Sequence, residues 1–146
     1  MRAIPLVTGE IYHICNRSTE GIQIFKKPKL ANRFICTLVD YNTNGFGLRE
    51  AKRKPQQVMK GDPLVKVYAA VVMPNHFHLL VRQVVDDGIS KWMHRACNSF
   101  ARSYNLIQSR KGALFMGRFK AVRVLEDIQL FHLMVYIHAN PLDLIS

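Results

Sequence analysis

The stretch "MPNHFHLLV", residues 73–81, places two histidines on either side of a phenylalanine in an otherwise apolar run. On a β-strand, residues i and i+2 share a face, so His76 and His78 aim their imidazoles one way while Phe77 enters the other side. Paired imidazoles suit a divalent cation, which normally needs a third ligand from elsewhere in the chain. The plainer alternative is a polar strand face. A cation at such a pair would polarise a phosphodiester, and a tyrosine is a possible covalent nucleophile for it. Of the five tyrosines, Tyr104 and Tyr136 lie on predicted helices with an amide four residues on, Gln108 and Asn140. Residues i and i+4 share a helix face, so either pair could present a hydroxyl beside an amide oxygen. Tyr104 falls on an apolar stripe and reads as core. Tyr136 lies in a helix apolar nearly all round, so spacing leans towards it without excluding Tyr104. No GxSxG, HExxH, Walker or kinase signature occurs, and those classes find no support.

These residues need elements to carry them. "EIYHICNR" (10–17) alternates and reads as a first strand. Leu30, Phe34, Ile35, Leu38 and Val39 recur at helical spacing over 28–42, after Pro28. Residues 42–63 are polar, basic and Gly/Pro-containing, and read as a mobile loop able to touch a ligand. "LVKVYAAVVM" (64–73) and "HFHLLVRQ" (76–83) form a hairpin turned by Pro74 and Asn75. Ile89, Trp92, Met93, Ala96, Cys97, Phe100, Tyr104 and Ile107 make the stripe of a second helix. A strand at 119–125 follows. Asp127 can cap a last helix, which Pro141 should stop from outside. The order β-α-β-β-α-β-α predicts an α+β fold, a ferredoxin-like split β-α-β sandwich with an antiparallel sheet, helices on one face and an extra C-terminal helix.

The chain has 146 residues, enough for one domain with a substantial core. No run approaches the roughly 20 apolar residues of a membrane span, and the N-terminus lacks the apolar stretch of a signal peptide. Cys15, Cys36 and Cys97 are widely spaced and read as buried thiols of a reducing compartment, so a cytoplasmic location is expected. Charge is the most informative bulk property: 21 Lys and Arg stand against 10 Asp and Glu. Between Lys91 and Arg123 every charged residue is basic (Lys91, Arg95, Arg102, Arg110, Lys111, Arg118, Lys120 and Arg123). Solvated surfaces usually mix signs, so a one-signed stretch of this length points to a polyanion, most commonly nucleic acid.

Four segments in order, "YHICNR", "VVMPNHFHLLV", "GALFMGRFKAV" and "VYIHANPL", together resemble the REP-associated tyrosine transposases. These belong to the HUH (His-hydrophobic-His) single-tyrosine transposase superfamily, and the resemblance runs over nearly the whole chain. It implies that His76 and His78 hold Mg²⁺ or Mn²⁺, that Asn140 is the third metal ligand, and that Tyr136 is the nucleophile. It also implies nicking and joining of single-stranded DNA, hairpin-containing, through a 5′-phosphotyrosine, by a monomer or homodimer. Arg17, Arg95, Arg102, Arg110, Lys111, Arg118, Lys120 and Arg123, with the 49–60 loop, would then hold the DNA. Two features depart from the family. The chain stops at Ser146, where many relatives continue, and His138 stands where relatives often carry an aromatic. His13, His94, His132 and His138 read as structural or surface residues. A non-catalytic ferredoxin-like nucleic-acid binder would share the charge and the fold, and lacks a reason to keep His76, His78, Tyr136 and Asn140 together. A replication-initiator or relaxase-type nickase is the weaker third reading.

Overall fold

The computed structural model describes residues 5–44 and 62–143, leaving aside the side chains of 131 and 138–143. Among these residues, four strands and three α-helices follow one another: β1 (Ile11–Arg17), α1 (Pro28–Asp40), β2 (Val65–Met73), β3 (His76–Gln83), α2 (Gly88–Ile107), β4 (Lys120–Val124) and α3 (Asp127–Asp143). The strands form one sheet in the order β2-β3-β1-β4, and every neighbouring pair is antiparallel. This is the ferredoxin-like arrangement expected from the order of elements. Most of the basic 42–63 loop, including 49–60, lies outside the described residues.

Alternation along the strands sorts the side chains into two layers. Tyr12, Ile14, Phe77, Leu79 and Val81 point into the layer closed by Leu30, Phe34 and Leu38 of α1 and by Ile89, Trp92, Met93, Ala96, Phe100 and Tyr104 of α2. Phe34 is its hub, with ring centres 4.9 Å from Phe25, 4.9 Å from Phe77 and 5.2 Å from Phe100. Aromatic rings at these separations add to what area burial supplies. The Trp92 indole donates to the Leu38 carbonyl over 2.7 Å, so burying the ring leaves its N–H paired. The stripes outrun the layer: Ile35, Val39 and Ile107 continue the periodicity yet are exposed. At the start of α2, a Cβ on Gly88 would lie 2.4 Å from the Leu64 carbonyl oxygen, so only glycine lets this helix begin so close to β2.

Among the described residues, α3 is the helix that covers the opposite face of the sheet. Leu130, Leu133, Met134 and Ile137, spaced as one helix stripe, pack against Ala69, Val71 and Met73 of β2, Leu80 of β3 and Val124 of β4. The predicted ends of this helix need correction. Asp127 falls inside the first turn, and Gln129 Oε1 accepts from the Leu125 N–H instead. Pro141 lies within the helix, which runs on to Asp143. A proline this near the end forfeits a single bond, the one its missing N–H would have made to position 137, and the last turn tolerates it. Cys36 is exposed and Cys15 and Cys97 are partly buried, so the expectation of three buried thiols is met only in part, by the latter two. No helix among the described residues is long and apolar enough to cross a membrane.

Candidate active site

The site begins at the β2–β3 hairpin. Pro74 and Asn75 make a two-residue turn, and its carbonyls are tied from outside: Phe25 N–H donates to Pro74 O and Ser18 N–H to Asn75 O, each over 2.9 Å. His76 therefore starts β3 from an anchored turn. His78 follows on the same face, its ring centre 5.1 Å from that of His76 and its plane nearly perpendicular. Phe77 between them is fully buried in the other layer, as the alternation predicts.

Strand β1 supplies the neighbours of this pair. Its register sets Arg17 opposite His76, Cys15 opposite His78 and His13 opposite Leu80. His13 Nε2 lies 3.0 Å from His78 Nδ1. The Asn75 side-chain oxygen accepts from His76 Nδ1 over 2.8 Å, which puts the His76 proton on Nδ1 and leaves the lone pair on Nε2. Burial lowers the pKa of all three histidines. For His76 the Arg17 charge adds to burial. For His78 the neighbouring His13 and His76 add to it and bring the value down to about 4. A cluster of imidazoles beside an arginine is thus kept neutral, the form in which imidazole is a ligand or a base.

Helix α3 brings Tyr136 to the same place. Its ring stands edge-on to His78, with centres 5.6 Å apart and planes at 85°. Tyr136 is 50% exposed whereas Tyr104 is 8% exposed and packs on Phe100, so the two tyrosines that spacing left open differ in access. Tyr104 has no open approach for a large substrate. Position 140 lies one helical turn beyond Tyr136 on the same side of α3, and its side chain is outside the described residues. Among the described residues no three His, Cys, Asp or Glu side chains are spaced to hold a metal. The donor chemistry nevertheless fits a divalent cation in part: two neutral imidazoles on one face, one with its lone pair on Nε2, next to a helix whose position 140 is an amide. Cys97 is no rival nucleophile, since burial pushes its thiol up to about 12.

Among the described residues, the basic side chains predicted to hold DNA lie in different surroundings. Arg17 is exposed beside His76, and Lys120, paired with Cys15 on β4, is exposed on the same face of the sheet. Arg102 on α2, and Lys111 and Arg118 in the segment after it, are exposed elsewhere. Arg95 is half-buried and donates to the Thr43 carbonyl. The Arg110 guanidinium holds the chain reversal after α2, reaching Asn105 Oδ1 and the carbonyls of Gly112 and Ala113. Arg123 pairs with Glu10 at 3.1 Å. A cleft of about 800 Å³ opens between α2 and residues 112–119, lined in part by Met93, His94, Asn98 and Arg118, and it shares no residue with the histidine face.

His13 is the residue that reasoning from sequence set aside. The alternation of "YHICNR" already puts it on the face opposite Tyr12 and Ile14. Its partner is 65 positions away, and only the pairing of β1 with β3 joins them.

No protein-family model matches the sequence, and no curated protein matches it. Among solved structures, the chain is similar to a REP-associated tyrosine transposase bound to a REP hairpin, with TM-score 0.61 and 14% identity over 98% of this chain and 72% of that one. It is also similar to a candidate transposase from Deinococcus radiodurans R1, with TM-score 0.52 and 14% identity over 94% and 95% of the two chains. The fold is therefore that of these transposases.

Proposed function

We propose that this protein is an HUH-type tyrosine transposase that cuts and rejoins single-stranded DNA with Tyr136 as its nucleophile. The observation that carries the proposal is the meeting of a half-exposed Tyr136 on α3 with the His76 and His78 pair on β3, on a sheet face kept apart from the main core. His76, His78 and Asn140 are the residues that would hold Mg²⁺ or Mn²⁺, which when bound supplies positive charge to a phosphate oxygen at the scissile bond.

The chain's own groups do the rest. Tyr136 Oη attacks phosphorus and loses its proton. The P–O bond to the upstream 3′ oxygen breaks, leaving a free 3′-OH and a 5′-phosphotyrosine. One phosphodiester has been exchanged for another, so a second 3′-OH can attack the phosphotyrosine, release Tyr136 and join strands without a nucleotide cofactor. Half-exposure of Tyr136 matters here, because the incoming strand must reach the phenol from solvent. Arg17 and Lys120, exposed on the same sheet face, would contact phosphates around the cut. Arg102, Lys111 and Arg118 would extend the contact, whereas Arg95, Arg110 and Arg123 already hold parts of the protein and contribute more to its shape and field. The solved neighbour's REP hairpin supports a hairpin-containing strand as the substrate class.

The test is to incubate the protein with labelled single-stranded hairpins, REP-type and unrelated, with Mn²⁺ or with chelator. A denaturation-resistant protein–DNA adduct that needs Mn²⁺, survives in Tyr104→Phe and disappears in Tyr136→Phe is expected. Salt-sensitive hairpin binding with no adduct across the panel would instead identify a non-catalytic binding protein.

A further inference from the structure

The contact between His13 and His78 has a geometry that limits where protons can sit. Their ring centres are 5.2 Å apart and their facing nitrogens 3.0 Å apart. The difference is about twice the distance from an imidazole's centre to its nitrogen, so the rings lie end to end; their planes are within 18°. That is a linear N–H···N hydrogen bond. His13 Nε2 and His78 Nδ1 share one proton, and two neutral arrangements are available. If His13 Nε2–H donates, His78 Nδ1 accepts, and the His78 proton must be on Nε2. If His78 Nδ1–H donates, His13 accepts, and the His78 Nε2 lone pair is free.

We infer that His13 is a positioning residue that holds His78 in the Nδ1–H tautomer, presenting Nε2 to whatever the histidine face binds. His76 is already in that state through a different partner, the Asn75 amide oxygen. The two imidazoles of the pair would then offer the same atom, each steadied from behind by a hydrogen bond made on the protein side. His13 is itself fixed by the sheet: it sits in mid-β1, between β3 and β4, with Leu80 and Val122 as register partners. A partner so placed restricts both the tautomer and the ring rotation of His78, which a solvent water cannot do.

This inference rests on the reading of His78 as a metal ligand, and the experiment separates the two. Long-range ¹⁵N–¹H correlation spectra of the metal-free protein at neutral pH report which nitrogen of His78 carries its proton. Mn²⁺ titration followed by electron paramagnetic resonance reports affinity. The wild type is expected to show the proton on Nδ1. His13→Phe should lose that preference and bind Mn²⁺ about 10-fold or more weakly. His13→Gln, whose side-chain oxygen can accept where Nε2 did, should restore both, which a loss of packing alone would not permit. A wild-type His78 protonated on Nε2, or an unchanged tautomer and Mn²⁺ affinity in His13→Phe, overturns the inference. A wild type that holds the Nδ1 proton but binds no Mn²⁺ supports the tautomer lock and overturns the metal reading.

Discussion

The two faces of the sheet are made by the same strands and do opposite things. On β3, Phe77, Leu79 and Val81 enter a layer closed by two helices and an aromatic cluster, while His76 and His78, one residue out of step, enter a layer with a single helix. The first face is a layer of buried side chains, with the Trp92 indole N–H paired to the Leu38 carbonyl. The second keeps imidazoles half-buried and a tyrosine open to solvent. A strand's period of two thus separates the packed residues from those proposed to do the chemistry over a distance of one residue.

The sharpest way to break this comparison is to exchange the consequences. Phe34→Ala, at the hub of the aromatic layer, is expected to cost about 3–5 kcal/mol of stability by opening a cavity. His78→Asn should change stability far less while removing divalent-cation binding, seen by denaturant unfolding and Mn²⁺ titration of the same preparations. Equal destabilisation by the two would mean that the second face is as much a core as the first.

A smaller effect tests the electrostatics of the histidine face. An unfolded histidine titrates near 6.5, and the folded His78 near 4. Between those values the unfolded chain binds the additional proton, so stability is complete above about pH 6.5 and is lost as pH falls towards 4. His13 and His76, lowered in the same direction, add to the loss. Melting temperatures measured from pH 7 to 4 should therefore fall more steeply for the wild type than for His78→Asn. Parallel curves would show that folding does not depress His78.

Much of this arrangement is legible in the sequence because it depends on local periods. The H-x-H alternation places two histidines on one face whatever the strand pairs with, and the stripe of α2 marks its buried side from Ile89 to Tyr104. What escapes is set by distant partners. Ile35, Val39 and Ile107 keep the apolar rhythm after the layer they would fill has ended. Counting charge does not see that Arg110 and Arg123 are held by Ala113 and Glu10. His13 looks like an ordinary strand histidine until the register of β1 with β3 sets it against His78. The difference in access between Tyr104 and Tyr136 is likewise hidden, since both have an amide four residues on and only burial in the fold tells them apart.

The central claim is that the α3 tyrosine is the attacking group. Its most direct test is to trap the protein–DNA adduct, digest the protein and DNA, and locate the remaining nucleotide by mass spectrometry. The account predicts a phosphodiester on Tyr136 and on no other residue; a nucleotide found on Tyr104, or on any side chain away from the histidine face, would contradict it.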